Sequence, residues 1–239
     1  MTDSELPERL ARVRAAIVQA AERARRDPAD VRLIAVSKTI PAAIVREALA
    51  GGVTDLGENR VQEAQAKIAA LAGVPARWHL IGHLQSNKAE KALQLFDVIH
   101  SIDSLALAQQ LSLRLLAGAP ESPAPIAIFF EVNIAGETSK QGFTPEQFID
   151  AALTLAGLPG LRPLGLMTVA PAVADPEDVR PAFRQLRELQ HRSTQLFGDH
   201  FRELSMGMSH DYGVAIEEGA TMVRVGTAIF GRRERVPLS

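Results

Sequence analysis

A lysine at the end of a short apolar run is the first residue in this sequence whose position suggests chemistry. Residues 33–36 are continuously apolar, which is typical of a buried parallel strand. The run stops at Ser37-Lys38, and Pro41 follows where a helix can begin. Ligands of parallel α/β proteins bind at such strand ends. Lys38 is therefore either a surface charge on a loop or an amine in a cleft, and this segment alone favours the surface charge.

The same strand-then-helix pattern recurs along the chain. We predict eight strands, over residues 33–36, 53–56, 78–81, 97–101, 126–132, 161–166, 204–206 and 221–225. Eight such units with short connections predict an α/β fold, a single (β/α)8 TIM-type barrel. The competing doubly wound sheet would be expected to carry a Gly-x-Gly-x-x-Gly motif after its first strand, and this sequence has none there.

An amphipathic helix is predicted before the first strand, over residues 4–26, from apolar residues at three- and four-residue spacing. We expect a single domain over residues 1–239, in which residues 1–27 pack on the barrel as this extra helix. The connection at residues 118–125 is rich in proline and serine but too short for a domain linker.

Composition excludes several classes of function. The 239 residues carry a net charge of −2, so no basic field indicates nucleic acid. The absence of cysteine excludes disulfides, thiolate metal sites and a cysteine nucleophile. The N-terminus lacks an apolar signal region, and no apolar run is long enough to span a membrane. We therefore expect a cytoplasmic protein, a monomer, with neither membrane nor nucleic acid as a partner.

The strand ends collect a set of groups that suits a phosphorylated aldehyde. Barrels frequently bind phosphate with the loops after strands seven and eight, and these loops contain Gly207 to Ser209 and Gly226-Thr227. A lysine opposite such a site could form a Schiff base with the aldehyde of pyridoxal 5'-phosphate (PLP). Arg224 either faces the ring nitrogen or is a barrel arginine paired with a carboxylate, and the sequence leaves both interpretations open.

Six segments, taken in order, resemble the pyridoxal phosphate homeostasis protein family: residues 35–39, 57–63, 78–88, 164–168, 204–209 and 223–231. The resemblance implies a fold similar to the N-terminal barrel domain of bacterial alanine racemase, and a carrier or regulator of PLP supply without established catalysis. By that resemblance Lys38 carries the Schiff base, Arg224 faces the ring nitrogen and Asn59 lies against the ring. The resemblance also assigns the phosphate to Ser209, Gly226 and Thr227, and the pocket lining to His83, Met167 and Met206. Gly213 departs from the family pattern, where an acidic or larger residue is expected.

Two enzymatic alternatives remain: a PLP-dependent racemase-like enzyme, and an aldolase-type lyase without a cofactor. Two-base racemisation needs a second proton carrier, commonly a tyrosine from an added domain. The only tyrosine here is Tyr212, on the phosphate-side loop, and the sequence ends soon after the barrel. Arg224 would not readily protonate a ring nitrogen. We therefore favour a PLP carrier, with apo forms of PLP enzymes as candidate recipients and no metal.

Overall fold

Eight parallel strands close into a barrel in sequence order, as the sequence analysis predicts. The computed structural model describes residues 5–118, 125–137 and 140–231. The strands are β1 (Arg32–Val36), β2 (Asp55–Glu58), β3 (Arg77–Leu80), β4 (Val98–Ile102), β5 (Ile126–Glu131), β6 (Leu161–Met167), β7 (Glu203–Ser205) and β8 (Met222–Val225). All their carboxyl ends therefore meet at one mouth.

The helices lie around this barrel. They are α1 (Glu5–Arg23), α2 (Ala42–Ala50), α3 (Val61–Ala70), α4 (Ala89–Leu95), α5 (Leu105–Gly118), α6 (Pro145–Ala156), α7 (Arg180–Phe197), α8 (Tyr212–Glu217) and α9 (Thr227–Phe230). Thr144 begins α6 with a capping box, in which its hydroxyl accepts the N–H of Gln147 and the Gln147 side chain accepts the N–H of Thr144. None of the described helices is long and apolar enough to cross a bilayer.

The apolar residues form two cores because neighbouring residues of a strand point to opposite faces. The larger core fills the space between the strands and the helices. The smaller one lies inside the barrel and consists of Ile34, Val98, Ala127, Phe129, Met167 and Met222. Polar side chains that share the barrel interior must therefore find hydrogen-bond partners there, on other side chains or on the backbone.

The predicted N-terminal helix is present as α1. Its apolar stripe is buried, including Leu6, Leu10 and Val13, and it packs mainly against α8 and α9. Arg23 adds an ion pair across this contact, with its Nε 2.8 Å from Glu217 Oε1. The extra helix therefore covers the part of the barrel that holds the last strand.

The second strand begins two residues later than predicted. The apolar start of residues 53–56 favoured a strand from Val53, but the Val53 N–H donates to Ala48 O at the end of α2. The pairing with β1 instead begins at Asp55, opposite Ile34. Asp55 and Glu58 are both buried in this strand. A hydrophobic pattern does not identify buried carboxylates as strand residues, and the predicted bounds were therefore shifted.

Gly213 leaves the local helix intact. It lies in α8, which begins at Tyr212 as predicted. Within the described part of the chain, the one atom within 4 Å of a Cβ at Gly213 would be Arg23 Nη2, at 3.9 Å. The helix therefore forms despite the departure from the family pattern.

Candidate functional site

Closure of the barrel places the end of β1 beside the end of β8. Ala35 lies opposite Val225 in the parallel register. A Cβ on Gly226 would lie 3.4 Å from both Cβ and O of Val36. Lys38 follows Val36 by two residues and is half-buried. The predicted Schiff-base lysine and the predicted phosphate loop thus occupy adjacent strand ends.

The backbone around Lys38 is held by side chains from β2 and α3. The buried Ser37 hydroxyl donates to Glu58 Oε1 at 2.6 Å. On the other side of Lys38, the Thr39 N–H donates to Glu63 Oε1. Thr39 has a φ of 64°, a left-handed conformation that a β-branched residue adopts only when its surroundings impose it. The loop that presents Lys38 is therefore fixed on both sides.

A second lysine completes this arrangement, which we call the Lys67 cluster (Ser37, Glu58, Glu63 and Lys67). Lys67 Nζ donates to Ser37 O at 2.6 Å and lies 3.2 Å from Glu63 Oε1. It also pairs with Glu58 Oε1, and the two side chains are 5% and 0% exposed. Burial raises the pKa of Glu58, while hydrogen bonds from Lys67 and Ser37 oppose that rise. Sequence reasoning missed Lys67, which looks like an ordinary helical surface lysine.

Asn59 follows β2, the other neighbour of β1. Its Oδ1 is buried and has no hydrogen-bond partner among the described residues. The loop after β3 lies directly on its backbone, since a Cβ on Gly82 would come within 2.5 Å of Asn59 O. A buried unpaired acceptor is costly unless a ligand satisfies it.

The loops after β7 and β8 meet at a hydroxyl. Ser209 Oγ accepts the N–H groups of Gly226 and Ala228, at 3.2 and 3.3 Å. Thr227 is exposed at the start of α9. Gly207 has a φ of +93°, and a Cβ there would lie 2.6 Å from Ala215 Cβ, so the fold itself requires this glycine. At Gly226, in contrast, a Cβ would make only ordinary contacts, so the fold leaves its identity open.

Arg224 is a buried donor inside the barrel, where it is 4% exposed. Its Nη1 donates to O and Oγ of Ser205, both at 2.7 Å, and its Nη2 donates to Thr168 O at 2.8 Å. Burial lowers the pKa of Arg224 to about 10, against the opposing influence of Glu131 and Asp211. The guanidinium therefore stays charged at neutral pH and is fixed by carbonyl and hydroxyl oxygens.

The three predicted lining residues lie in different places. Met167 belongs to the core inside the barrel. Met206 is fully buried in the larger core, between strands and helices. His83 is exposed on the loop after β3, where its Nδ1 lies 2.9 Å from Asp103 Oδ2.

Glu131, at the end of β5, is a further titratable group that sequence reasoning missed. Burial raises its pKa to about 7, nearby Asp103 adds to the rise, and Arg224 and His83 oppose it. Carboxyls with pKa values near neutrality are typical of functional sites. No cluster of three or more possible metal ligands occurs among residues 5–118, 125–137 and 140–231.

We expect Glu131→Gln to stabilise the protein at alkaline pH. A carboxyl with a raised pKa binds its proton more tightly in the folded state, so the unfolding free energy falls as pH rises from about 4.5 to about 7. Glutamine mimics the protonated form. Denaturant unfolding should show a gain of about 1–3 kcal/mol near pH 8 and little change near pH 4.5. Glu47→Gln, on the exposed face of α2, is the control. Equal gains at both pH values would contradict the assignment.

Comparison with known proteins first identifies the class of barrel. A family model described as the alanine racemase N-terminal domain matches residues 9–234. The alanine racemase of Corynebacterium glutamicum has a TM-score of 0.65 at 14% identity, covering 98% of this chain and 63% of that one, a likeness that shows the fold alone. The closed eight-stranded parallel barrel thus has the fold of the alanine racemase N-terminal domain.

Closer relatives then identify the family. The chain is 47% identical over 231 residues to the pyridoxal phosphate homeostasis protein of Pseudomonas aeruginosa, covering 97% of each. It is 43% identical over 227 residues to that of Aquifex aeolicus, covering 95% of this chain and 98% of the relative. This chain belongs to the pyridoxal phosphate homeostasis protein family. PipY of Synechococcus elongatus, solved with PLP bound, is 40% identical with a TM-score of 0.80, covering 95% of this chain and 100% of PipY.

Proposed function

We propose that this protein binds PLP at the mouth of the barrel and holds it covalently through Lys38. The observation that carries the proposal is the adjacency of Lys38, at the end of β1, and the Ser209–Gly226 contact at the end of β8. A phosphorylated aldehyde needs an amine and an anion site within one small molecule's reach, and neighbouring strand ends provide both. Family membership supports the same ligand, since PipY was solved with PLP bound.

The residues present fit this cofactor. Ser209, Gly226 and Thr227 would bind the phosphate through hydroxyl and backbone N–H donors. Gly226 supports this role because the fold tolerates a Cβ there, which leaves close approach of a ligand as the reason for glycine. Asn59 would lie against the ring with its unpaired Oδ1. Arg224 would donate to the ring nitrogen.

The chemistry of these residues favours holding the cofactor over catalysing turnover. When bound, PLP supplies an aldehyde that amines capture and a ring that can take up electrons once its nitrogen is protonated. A guanidinium that stays charged donates a hydrogen bond but gives up no proton. Tyr212 packs beside the larger core, next to Gly207, on the side of the mouth where the phosphate would bind.

The family name suggests a role in maintaining PLP supply, and the relatives carry that name. We propose that the protein buffers PLP in the cytoplasm and passes it to apo forms of PLP enzymes. We further propose that it acts as a monomer and a single domain, because the groups that would bind the cofactor all come from one barrel mouth.

Isotope exchange tests this function against the racemase-like alternative. Protein loaded with PLP and freed of excess cofactor should retain a visible absorption band. Incubation with L- and D-amino acids in deuterated water should then give α-deuterium incorporation no faster than free PLP gives. Proton abstraction needs both a positioned base and a ring that accepts charge, and Arg224 weakens the second.

Free PLP at the same concentration is the control for this measurement. Incorporation at enzyme-like rates, about 1 per second or faster, would overturn the carrier function and favour a racemase-like enzyme. A protein that retains no visible band would contradict PLP binding itself.

A further inference from the structure

A continuous chain of hydrogen bonds crosses the inside of the barrel and ends at Arg224. Asp55 Oδ1 lies 2.9 Å from His79 Nε2, and His79 Nδ1 lies 2.9 Å from His100 Nε2. His100 Nδ1 lies 2.9 Å from Ser205 Oγ, which accepts from Arg224 Nη1 at 2.7 Å. We call these five residues the interior chain. It connects β2, β3, β4, β7 and β8 through side chains alone.

The interior chain lies in apolar surroundings. Both imidazoles are 0% exposed, and the ring of His100 stacks on Phe129 at a centroid distance of 4.5 Å. Barrel interiors are usually filled by branched apolar side chains. A buried polar group is tolerated there only when its hydrogen bonds are complete.

The charged ends determine which atom carries each proton. Burial alone would raise the pKa of Asp55, but hydrogen bonds from His79 and Thr54 outweigh it, so the pKa lies below its usual value. Asp55 is therefore a carboxylate that only accepts, and His79 must carry its proton on Nε2. Burial lowers the pKa of both His79 and His100, so both rings are neutral.

The remaining protons follow in one direction. A neutral His79 with a proton on Nε2 has a bare Nδ1, which accepts from His100 Nε2–H. The bare Nδ1 of His100 then accepts from the Ser205 hydroxyl. Because the Ser205 hydroxyl donates its proton to His100 Nδ1, Ser205 Oγ acts only as an acceptor toward Arg224 Nη1. Each link carries one proton, and reversing any single link would place either two donors or two acceptors face to face.

We propose that the interior chain positions Arg224, through Asp55, His79, His100 and Ser205. Because its hydrogen bonds all run in one direction, both imidazoles are held as Nε2–H tautomers. The guanidinium is held as a charged donor at the end of the barrel interior that faces the mouth. The consequence for PLP binding rests on the proposed function, in which Arg224 faces the ring nitrogen of PLP. The tautomer assignment is a property of the protein alone.

The first test is NMR of the protein without cofactor. Long-range 15N–1H spectra of histidine-labelled protein at about pH 7 distinguish protonated from bare ring nitrogens, and single histidine substitutions assign the signals. His79 and His100 should each show a protonated Nε2 and a bare Nδ1, while the exposed His200 should show both tautomers in exchange. A protonated Nδ1 on either buried ring would overturn the proposal.

The second test compares two isosteric variants. Asp55→Asn removes the charge that directs the interior chain. Asp97→Asn removes a carboxylate at the same end of the barrel, which accepts the Trp78 N–H at 2.7 Å and does not belong to the interior chain. Asp55→Asn should raise the PLP dissociation constant about two- to thirtyfold and shift the visible band of the bound cofactor, because a distant link in a bonded network weakens the position of Arg224. Asp97→Asn should change neither.

The outcomes separate this proposal from the proposed function. Equal behaviour of the two variants would overturn the role of Asp55 even if wild-type protein binds PLP. Failure of wild-type protein to bind PLP would refute the proposed function, and the tautomers measured without cofactor would still decide on the interior chain.

Discussion

Replacing Lys67 by alanine is expected to lower the unfolding free energy by about 3–5 kcal/mol, the range measured when one partner of a buried ion pair is removed. Lys67 is 5% exposed and bonds to Glu58, Glu63 and Ser37 O. Its removal leaves Glu58 fully buried, with an Oε2 that already has no hydrogen-bond partner among the described residues. Glu58 would then take up a proton to avoid an uncompensated charge, so the loss should be larger near pH 8 than near pH 5.

Two further variants make this prediction falsifiable. Lys67→Met combined with Glu58→Gln removes both charges and should recover most of the lost stability, because no buried charge then lacks a partner. Lys91→Ala, a half-buried lysine on α4, should cost about 1 kcal/mol or less. A Lys67→Ala variant as stable as Lys91→Ala would show that the Lys67 cluster does not hold the Lys38 loop.

Replacing Ser209 by alanine is expected to weaken PLP binding about ten- to a hundredfold, because one hydrogen bond to a charged acceptor is worth about 1.5–3 kcal/mol. Ser209 Oγ lies at the meeting point of the last two loops, where it accepts two backbone N–H groups. Unphosphorylated pyridoxal lacks the group that this hydroxyl would bind. Its affinity should therefore change little, and titrations with both ligands measure the difference.

A buried serine elsewhere in the fold, Ser112, is the control for this variant. The Ser112 hydroxyl donates to Pro159 O, between α5 and the loop before β6, away from the mouth. Ser112→Ala should leave both affinities unchanged. If Ser209→Ala weakened PLP and pyridoxal equally, the phosphate site would have to lie elsewhere.

The barrel was predictable because its signals are local. Each buried parallel strand leaves a short apolar run, and each βα loop leaves glycine or a polar residue at its end. That rule predicts a strand over residues 33–36, and the observed β1 contains these residues. It also predicts loops at Lys38 and Gly226, which follow the observed β1 and β8. The resemblance to a known family then identified PLP as the expected cofactor and assigned a role to each site residue. Residue types alone had left both open.

The groups that were missed depend on contacts between distant parts of the chain. Lys67 has the position of a solvent-facing helical lysine, yet barrel closure buries it beneath Ser37. His79 and His83 are four residues apart in sequence, but His79 lies inside the barrel and His83 at its rim. His79 bonds to His100, twenty-one residues away on the next strand, and to Asp55, twenty-four residues earlier on the strand before. Hydrophobic periodicity predicts which positions are apolar, but it does not predict which buried polar residues will form pairs. Such pairs are therefore seen only in the three-dimensional structure.

Reductive trapping tests the central claim most directly, because it identifies the lysine that holds the cofactor. Borohydride treatment of the PLP-loaded protein fixes the attachment, and peptide mapping by mass spectrometry then locates it among the five lysines of the sequence. The phosphopyridoxyl label should be on Lys38 and should be absent from a Lys38→Ala variant treated in the same way. A label found on Lys67, Lys88, Lys91 or Lys140, with Lys38 unmodified, would contradict the account.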